Sequence, residues 1–276
     1  MTNYPTKESG IATKVSIWLG EVYLPLLTGV FFFVLWEALI HLLKVPRYIL
    51  PAPSAVFIEF AKHLRLIWFH TMVTANETFV GYAIAVVLGV PISIFVAFSE
   101  TLRRTVYAGS VILGMVPTIA FAPLFVVWFG FSFASKMLVV FWVCFFPILI
   151  NSIFGFISLS EELRLFILCT GANRVTAFWK VRLPAALPQI FVGLKWAAVN
   201  ATVGATIGEW IGGDAGLGYY IQMASGDMKM ELAFAIIVML AFLGLFLYYL
   251  VVVFEKMLVP WHVSQRSSFS GMVTTK

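Results

Sequence analysis

Few residues of this 276-residue chain could do chemistry, and most of them stand alone inside long apolar runs. Glu37, Asn151, Lys195, Asn200, Thr202, Thr206 and Glu209 all interrupt such runs. A polar group in an apolar segment is costly unless it is paired or used, so each is a candidate for moving a polar solute. At helical spacing Thr202, Thr206 and Glu209 share one face. Asn200 points elsewhere, toward the side of Gly193, Gly204 and Gly208, whose small size lets a neighbouring helix approach closely. The reading is that the Thr/Glu face lines a translocation path while the glycine face packs. Asn200, Asn151 and Pro117 join the candidate path, and Pro123 marks a further bend, because prolines in apolar helices free carbonyls that line cavities. The plainer alternative is helix–helix hydrogen bonding, with Lys195 reaching to the interface. Glu37 has an equally plain partner in His41, one helical turn on.

Catalytic and metal chemistry find no such candidates. His41, His63, His70 and His262 lack ligand spacing, and "HLRLIWFH" reads as a surface stretch. The Gly-x-x-x-x-Gly-Lys-Ser/Thr pattern of a nucleotide site is absent. "GGDAGLG" follows an apolar run and reads as a flexible turn. Cys144 and Cys169 make no disulfide framework. The net charge of +5 would suggest nucleic acid only if the basic residues clustered, and they sit instead at the ends of apolar runs.

These residues need elements to position them. The chain is 61% hydrophobic and 11% charged, with a mean hydropathy of +0.97, which fits a polytopic membrane protein and excludes a soluble globular domain. The apolar runs exceed ~18 residues and show no alternation, so they predict helices. The first run carries no cleavage signature and is a retained span. Six spans are expected: about 22–43, 74–97, 106–130, 136–157, 185–211 and 232–257. Between the first two, "VPRYILPAPSA" reads as extended and "AVFIEFAKHLRLIWF" as an amphipathic surface helix. With both termini cytoplasmic, eleven Lys and Arg fall inside and six outside, which is the favoured bias.

The one long basic connection is 158–184, "SLSEELRLFILCTGANRVTAFWKVRLP". Ser158 with Glu161 fits a capping box, and Leu163, Phe166 and Ile167 fall on one face. Gly171 sits where a left-handed cap is expected. Asn173 can cap a second short helix, which Leu183-Pro184 should close. The product is a bracket with an apolar face and a basic rim of Arg164, Arg174, Lys180 and Arg182. An amphipathic loop resting on headgroups would have the same composition.

Gly171, Val181, Leu183 and Pro184 resemble the cytoplasmic loop of ATP-driven (ABC) importer permeases, whose pattern is Glu-Ala-Ala, three residues, Gly, nine residues, Ile, one residue, Leu-Pro. Val181 stands in for Ile, and Leu165, Phe166 and Ile167 replace Glu-Ala-Ala. "MVPTIAFAPLFVVWFG", "CFFPILINSIFGF", "RLPAALPQIFVGLKWA" and "IGEWIGGDAGLGYYI" are similar, in order, to segments of the nitrate/sulfonate/taurine type. The likeness covers about 50–258, and "GEWIG" and "VCFFPILIN" are most similar to permeases for thiamine-precursor pyrimidines and riboflavin. The resemblance implies an all-α, multi-pass inner-membrane subunit of about six helices, with a cytoplasmic coupling helix between spans four and five. It implies a cytoplasmic segment 1–21, a first span and external segment 22–73, a permease core 74–258 containing the coupling loop 158–184, and a tail 259–276. It implies a homodimer in the bilayer that works with two ABC ATPase subunits and an extracytoplasmic solute-binding protein. ATP and Mg would bind the ATPase, leaving this chain without cofactor, metal, catalytic residue or nucleic-acid partner. Leu163, Arg164, Phe166, Ile167, Gly171, Ala172, Arg174, Leu183 and Pro184 would carry coupling. An ion-coupled secondary transporter is the alternative class, although its paired broken helices and inverted halves are not visible.

Overall fold

A computed structural model describes residues 11–261 of the chain; the side chains of 11–22, 24, 25, 164, 166 and 174 lie outside the described set. Every regular element among the described residues is helical. Lipid offers no partner to a backbone N–H or C=O, and helices pair these groups internally. The elements are α1 (Ile11–Leu43), α2 (Pro53–Lys62), α3 (Leu64–Ala97), α4 (Glu100–Gly114), α5 (Thr118–Phe129), α6 (Phe133–Ile157), α7 (Glu161–Cys169), α8 (Arg174–Ala177), α9 (Leu183–Gly212), α10 (Leu217–Gly226) and α11 (Met230–Leu258). α1, α3, α6, α9 and α11 are each long and apolar enough to cross a membrane alone.

The third expected span is broken. α4 and α5 meet at 90°, with Pro117 at the N-terminus of α5. Whether this pair crosses or turns back is decided by its neighbours. A Cβ on Gly81 would lie 2.6 Å from Val140 Cβ, and one on Gly89 would lie 3.0 Å from Ile148, so α3 and α6 run parallel. Two parallel helices need a connection from one end of the bundle to the other. α4 and α5 together supply it, packing Gly114 near Phe146 and Phe121 on Trp142. Among the described residues, five long helices and this bent pair therefore run between the two ends of the bundle.

The core is the α3–α6–α9 contact. Gly193, Gly204 and Gly208 of α9 bring its backbone against Asn151, Val140 and Lys136 of α6 in antiparallel register. Tyr82, Ala85, Cys144, Ile148, Ala197, Ala201 and Leu247 are buried where α3, α6, α9 and α11 meet. α10 lies at the end holding the start of α6 and the finish of α9; α7 and α8 lie at the opposite end.

Two local expectations are corrected. The surface helix expected over 55–69 is divided at His63, and "LRLIWF" forms the head of α3. α3 has 34 residues, about 51 Å at 1.5 Å per residue, so its head has length to spare beyond a ~30 Å hydrocarbon layer. Leu183-Pro184 also does not close the second short helix. Phe178–Arg182 forms a π-helical turn, with the Leu183 N–H bonded to the Phe178 carbonyl, and leads directly into α9. The wider turn passes the chain over the missing N–H of Pro184, and residues 175–212 run as one long helix.

Candidate functional site

The two ends of the α6–α9 pair hold the candidate residues. At the α10 end, three ionisable side chains are sealed inside. Glu77 of α3, Lys136 of α6 and Glu209 of α9 are 1%, 6% and 0% exposed. Lys136 Nζ lies 2.8 Å from Glu77 Oε1 and 3.9 Å from the carboxylate of Asp214, which is itself fully in the open. Glu77 Oε2 is buried without a hydrogen-bond partner. Buried charges are tolerated only when paired, which fixes how α3 and α6 sit against each other.

Glu209 organises the loop that follows it. Thr74 donates its hydroxyl to Glu209 Oε1 at 2.6 Å, and the Gly218 N–H donates to Oε2 at 2.5 Å. The Leu217 N–H donates to the Thr74 oxygen at 2.7 Å, and the Gly216 N–H to His70 Nδ1 at 3.0 Å. Gly216 has φ 115°, and a Cβ there would land on the Glu209 carboxylate. "GGDAGLG" is thus a wrapped loop held by three backbone donors, and the flexible turn expected there is corrected. His70 is corrected too: it is buried and stacks on Tyr220 of α10 with ring centroids 4.7 Å apart. Burial pushes the Tyr220 phenol up.

Sequence reasoning found Glu209 and missed its partners. Glu77 interrupts an apolar run in "ANETFVGY" and carried the same signal as Glu209. Lys136 stands at the start of an apolar run, where the sequence does not distinguish it from the other basic residues at such ends. His70 and Thr74 carry no signal of their own, since their role depends on a loop far along the chain.

At the α7 end the chain displays its side chains. α7 begins at Glu161, and Ser160 caps it by accepting from the Leu163 N–H at 3.4 Å. Ser158 instead ends α6, which corrects the expected capping box. Gly171 has φ 61° and closes α7 as expected, its N–H on the Leu168 carbonyl at 3.4 Å. Asn173 Oδ1 accepts from the Thr176 N–H at 2.7 Å, the expected cap of α8. Leu163 and Ala172 are exposed; Ile167, Leu183 and Pro184 are half-buried. Leu165, Leu168, Val175 and Trp179 are 53%, 71%, 60% and 59% exposed; of these, only Leu165 was singled out from the sequence, as a departure from Glu-Ala-Ala. Phe178 anchors the bracket, buried between Phe98 and Phe156. The arrangement is a rooted bracket with an uncovered apolar face, the pattern of a partner surface. The side chains of Arg164, Phe166 and Arg174 lie outside the described set.

The candidate path residues are distributed as follows. Thr202 is 8% exposed and lies beside Gly244 of α11, and Thr206 is half-buried. Asn151 accepts from Gln189 of α9 at 3.2 Å. Pro117 is exposed at the α4–α5 break. Asn200, half-buried, donates to its own helix at the Trp196 carbonyl, 2.8 Å away. Val192, Trp196, Val199, Val203 and Trp210 form the open face of α9. Lys195 does not snorkel: it pairs with Glu255 of α11 at 3.1 Å, with both side chains largely buried. Glu37 meets His41 at 3.0 Å, as expected, and also accepts from the Ser54 N–H and hydroxyl, tying α1 to the start of α2.

A helical bundle of five to six candidate spans thus carries an uncovered apolar bracket at one end. A family model described as the inner membrane component of binding-protein-dependent transport systems matches residues 89–260. The chain belongs to this family. It is 31% identical to the formylaminopyrimidine transport permease of Halalkalibacterium halodurans, over 87% of this chain and 96% of that one. It is 34% identical to the riboflavin transport system permease of Chloroflexus aurantiacus, over 84% and 87%. A putative aliphatic sulfonates permease of Bacillus subtilis is 30% identical over 86% and 85%. The resemblance read from the four segments is borne out: the chain is a permease subunit of an ABC importer, a transport subunit in the inner membrane. Members of this family work with ATPase and substrate-binding partners.

Proposed function

We propose that this chain forms, as a homodimer with two ABC ATPases, the pathway of an importer for a planar nitrogen heterocycle, a thiamine-precursor pyrimidine or riboflavin. The observation that carries this reading is the match to the formylaminopyrimidine permease along 96% of its length. A solute-binding protein would deliver the heterocycle to the α10 end. ATP hydrolysis in the partner subunits would supply the energy, with ATP and Mg bound there.

The residues support a division of labour. The bracket 158–184 would seat in a groove of the ATPase, Leu163, Phe166 and Ile167 giving an apolar core and Arg164 and Arg174 a basic rim. Ala172 would flank the Gly171 turn, and Leu183 with Pro184 would join the bracket to α9. Because the π turn joins α8 to α9 without a break, tilting the bracket would tilt the whole of α9. Asn151, Asn200, Thr202, Thr206, Glu209 and Pro117 would line or shape the path. Both termini would be cytoplasmic, the orientation that the eleven-to-six count of Lys and Arg in the sequence favours.

The test is uptake by proteoliposomes holding the permease, its ATPase and the cognate binding protein. ATP-dependent accumulation of formylaminopyrimidine or riboflavin, with none of taurine or alkanesulfonates, supports the reading. The sulfonate alternative rests on the 30% relative and predicts the reverse. Uptake driven by a sodium or proton gradient without the ATPase would contradict both.

A further inference from the structure

The α10 end of α1 carries a groove. Phe32, Trp36, Leu39 and Leu43 of α1, with Val45 and Leu50 of the turn that follows, enclose about 310 Å³ behind wholly apolar walls. The Trp36 indole N–H is buried and has no hydrogen-bond acceptor.

The turn that closes the groove is held in an unusual backbone. Lys44 has φ 49°, the left-handed region that glycine and asparagine enter most readily. From there the Val45 N–H folds back onto the Ile40 carbonyl at 3.1 Å, and the Pro46 carbonyl accepts from Ile49 at 2.9 Å and Leu50 at 3.3 Å. The chain keeps a lysine where a relaxed turn would have glycine. Lys44 and Arg47 are both exposed on this turn. The acid nearest to them in sequence, Glu37, is occupied by His41 and Ser54. The turn that closes the apolar groove thus carries two exposed cations.

We propose that this groove binds an anionic phospholipid, its acyl chain in the cavity and its phosphate between Lys44 and Arg47. Charge complementarity selects this occupant. A guanidinium and an ammonium at the end of a spanning helix are phosphate ligands, and the acyl chain matches the apolar walls. A heterocyclic substrate would leave both cations unmatched.

The assembled complex is delipidated in detergent and titrated with dioleoylphosphatidylglycerol or dioleoylphosphatidylcholine. Native mass spectrometry then counts retained lipid. The wild type should retain phosphatidylglycerol over phosphatidylcholine. Lys44→Gln with Arg47→Gln should weaken phosphatidylglycerol binding roughly tenfold or more. Lys62→Gln with Arg65→Gln removes the same charge from nearby exposed positions and should leave binding unchanged. Leu39→Trp, which fills the groove, should reduce retention of both lipids. Unchanged binding in the first pair, equal loss in the second, or full retention in Leu39→Trp would overturn the proposal. So would displacement of the lipid by formylaminopyrimidine or riboflavin.

Discussion

At the α10 end, Glu77, Lys136 and Glu209 are almost wholly withdrawn from solvent, and the loop after α9 is bonded down onto them. At the α7 end, Leu165, Leu168, Val175 and Trp179 stand in the open on a bracket rooted by Phe178. Both ends belong to the same two helices, α6 and α9. The difference teaches that polarity and function are not distributed together here. The α10 end buries its ionisable groups and ties the loop after α9 to them, leaving Glu77 Oε2 without a hydrogen-bond partner. The apolar end is unsatisfied until something covers it, as a coupling surface requires.

This contrast predicts opposite responses to substitution. The largest effect is at Lys136. Lys136→Met leaves Glu77 as an unpaired buried charge and should cost about 3–5 kcal/mol, seen as lost or strongly lowered thermal unfolding of the purified protein. Adding Glu77→Gln should recover most of that loss. A single variant as stable as the wild type would mean that the pair is not structural. The next effect is at Gly216, where φ 115° and the Glu209 carboxylate leave no room for a Cβ. Gly216→Ala should cost roughly 1–3 kcal/mol and release the α9–α10 loop to protease. The smallest effect on stability is at Gly171. Its φ of 61° penalises a side chain, but nothing lies within 4 Å of the new Cβ. Gly171→Leu should cost about 1 kcal/mol of local stability and leave the folded permease intact.

The sequence showed the α7 end more fully than the α10 end, for a physical reason. Gly171 and Asn173 act within one turn of themselves, so their types reveal their conformations. The Glu77–Lys136 pair joins two helices, and the Thr74–Glu209 bond spans 135 positions. Single charges far apart in apolar runs do not announce which other they meet. The π turn at Phe178–Arg182 was illegible because a proline usually ends a helix, and only the i→i+5 bond shows the chain continuing. The replacement of Glu-Ala-Ala by Leu165, Phe166 and Ile167 has a partial account. Leu165 is exposed and Ile167 half-buried, so the described part of the departure adds apolar surface to the bracket.

The most direct test of the account compares ATP hydrolysis by the reconstituted complex with and without the loaded binding protein, in the wild type and in Gly171→Leu. The account predicts strong stimulation in the wild type. In Gly171→Leu it predicts an intact, membrane-inserted complex whose hydrolysis no longer responds to the loaded binding protein. Normal stimulation in that variant would contradict the assignment of the bracket as the coupling element.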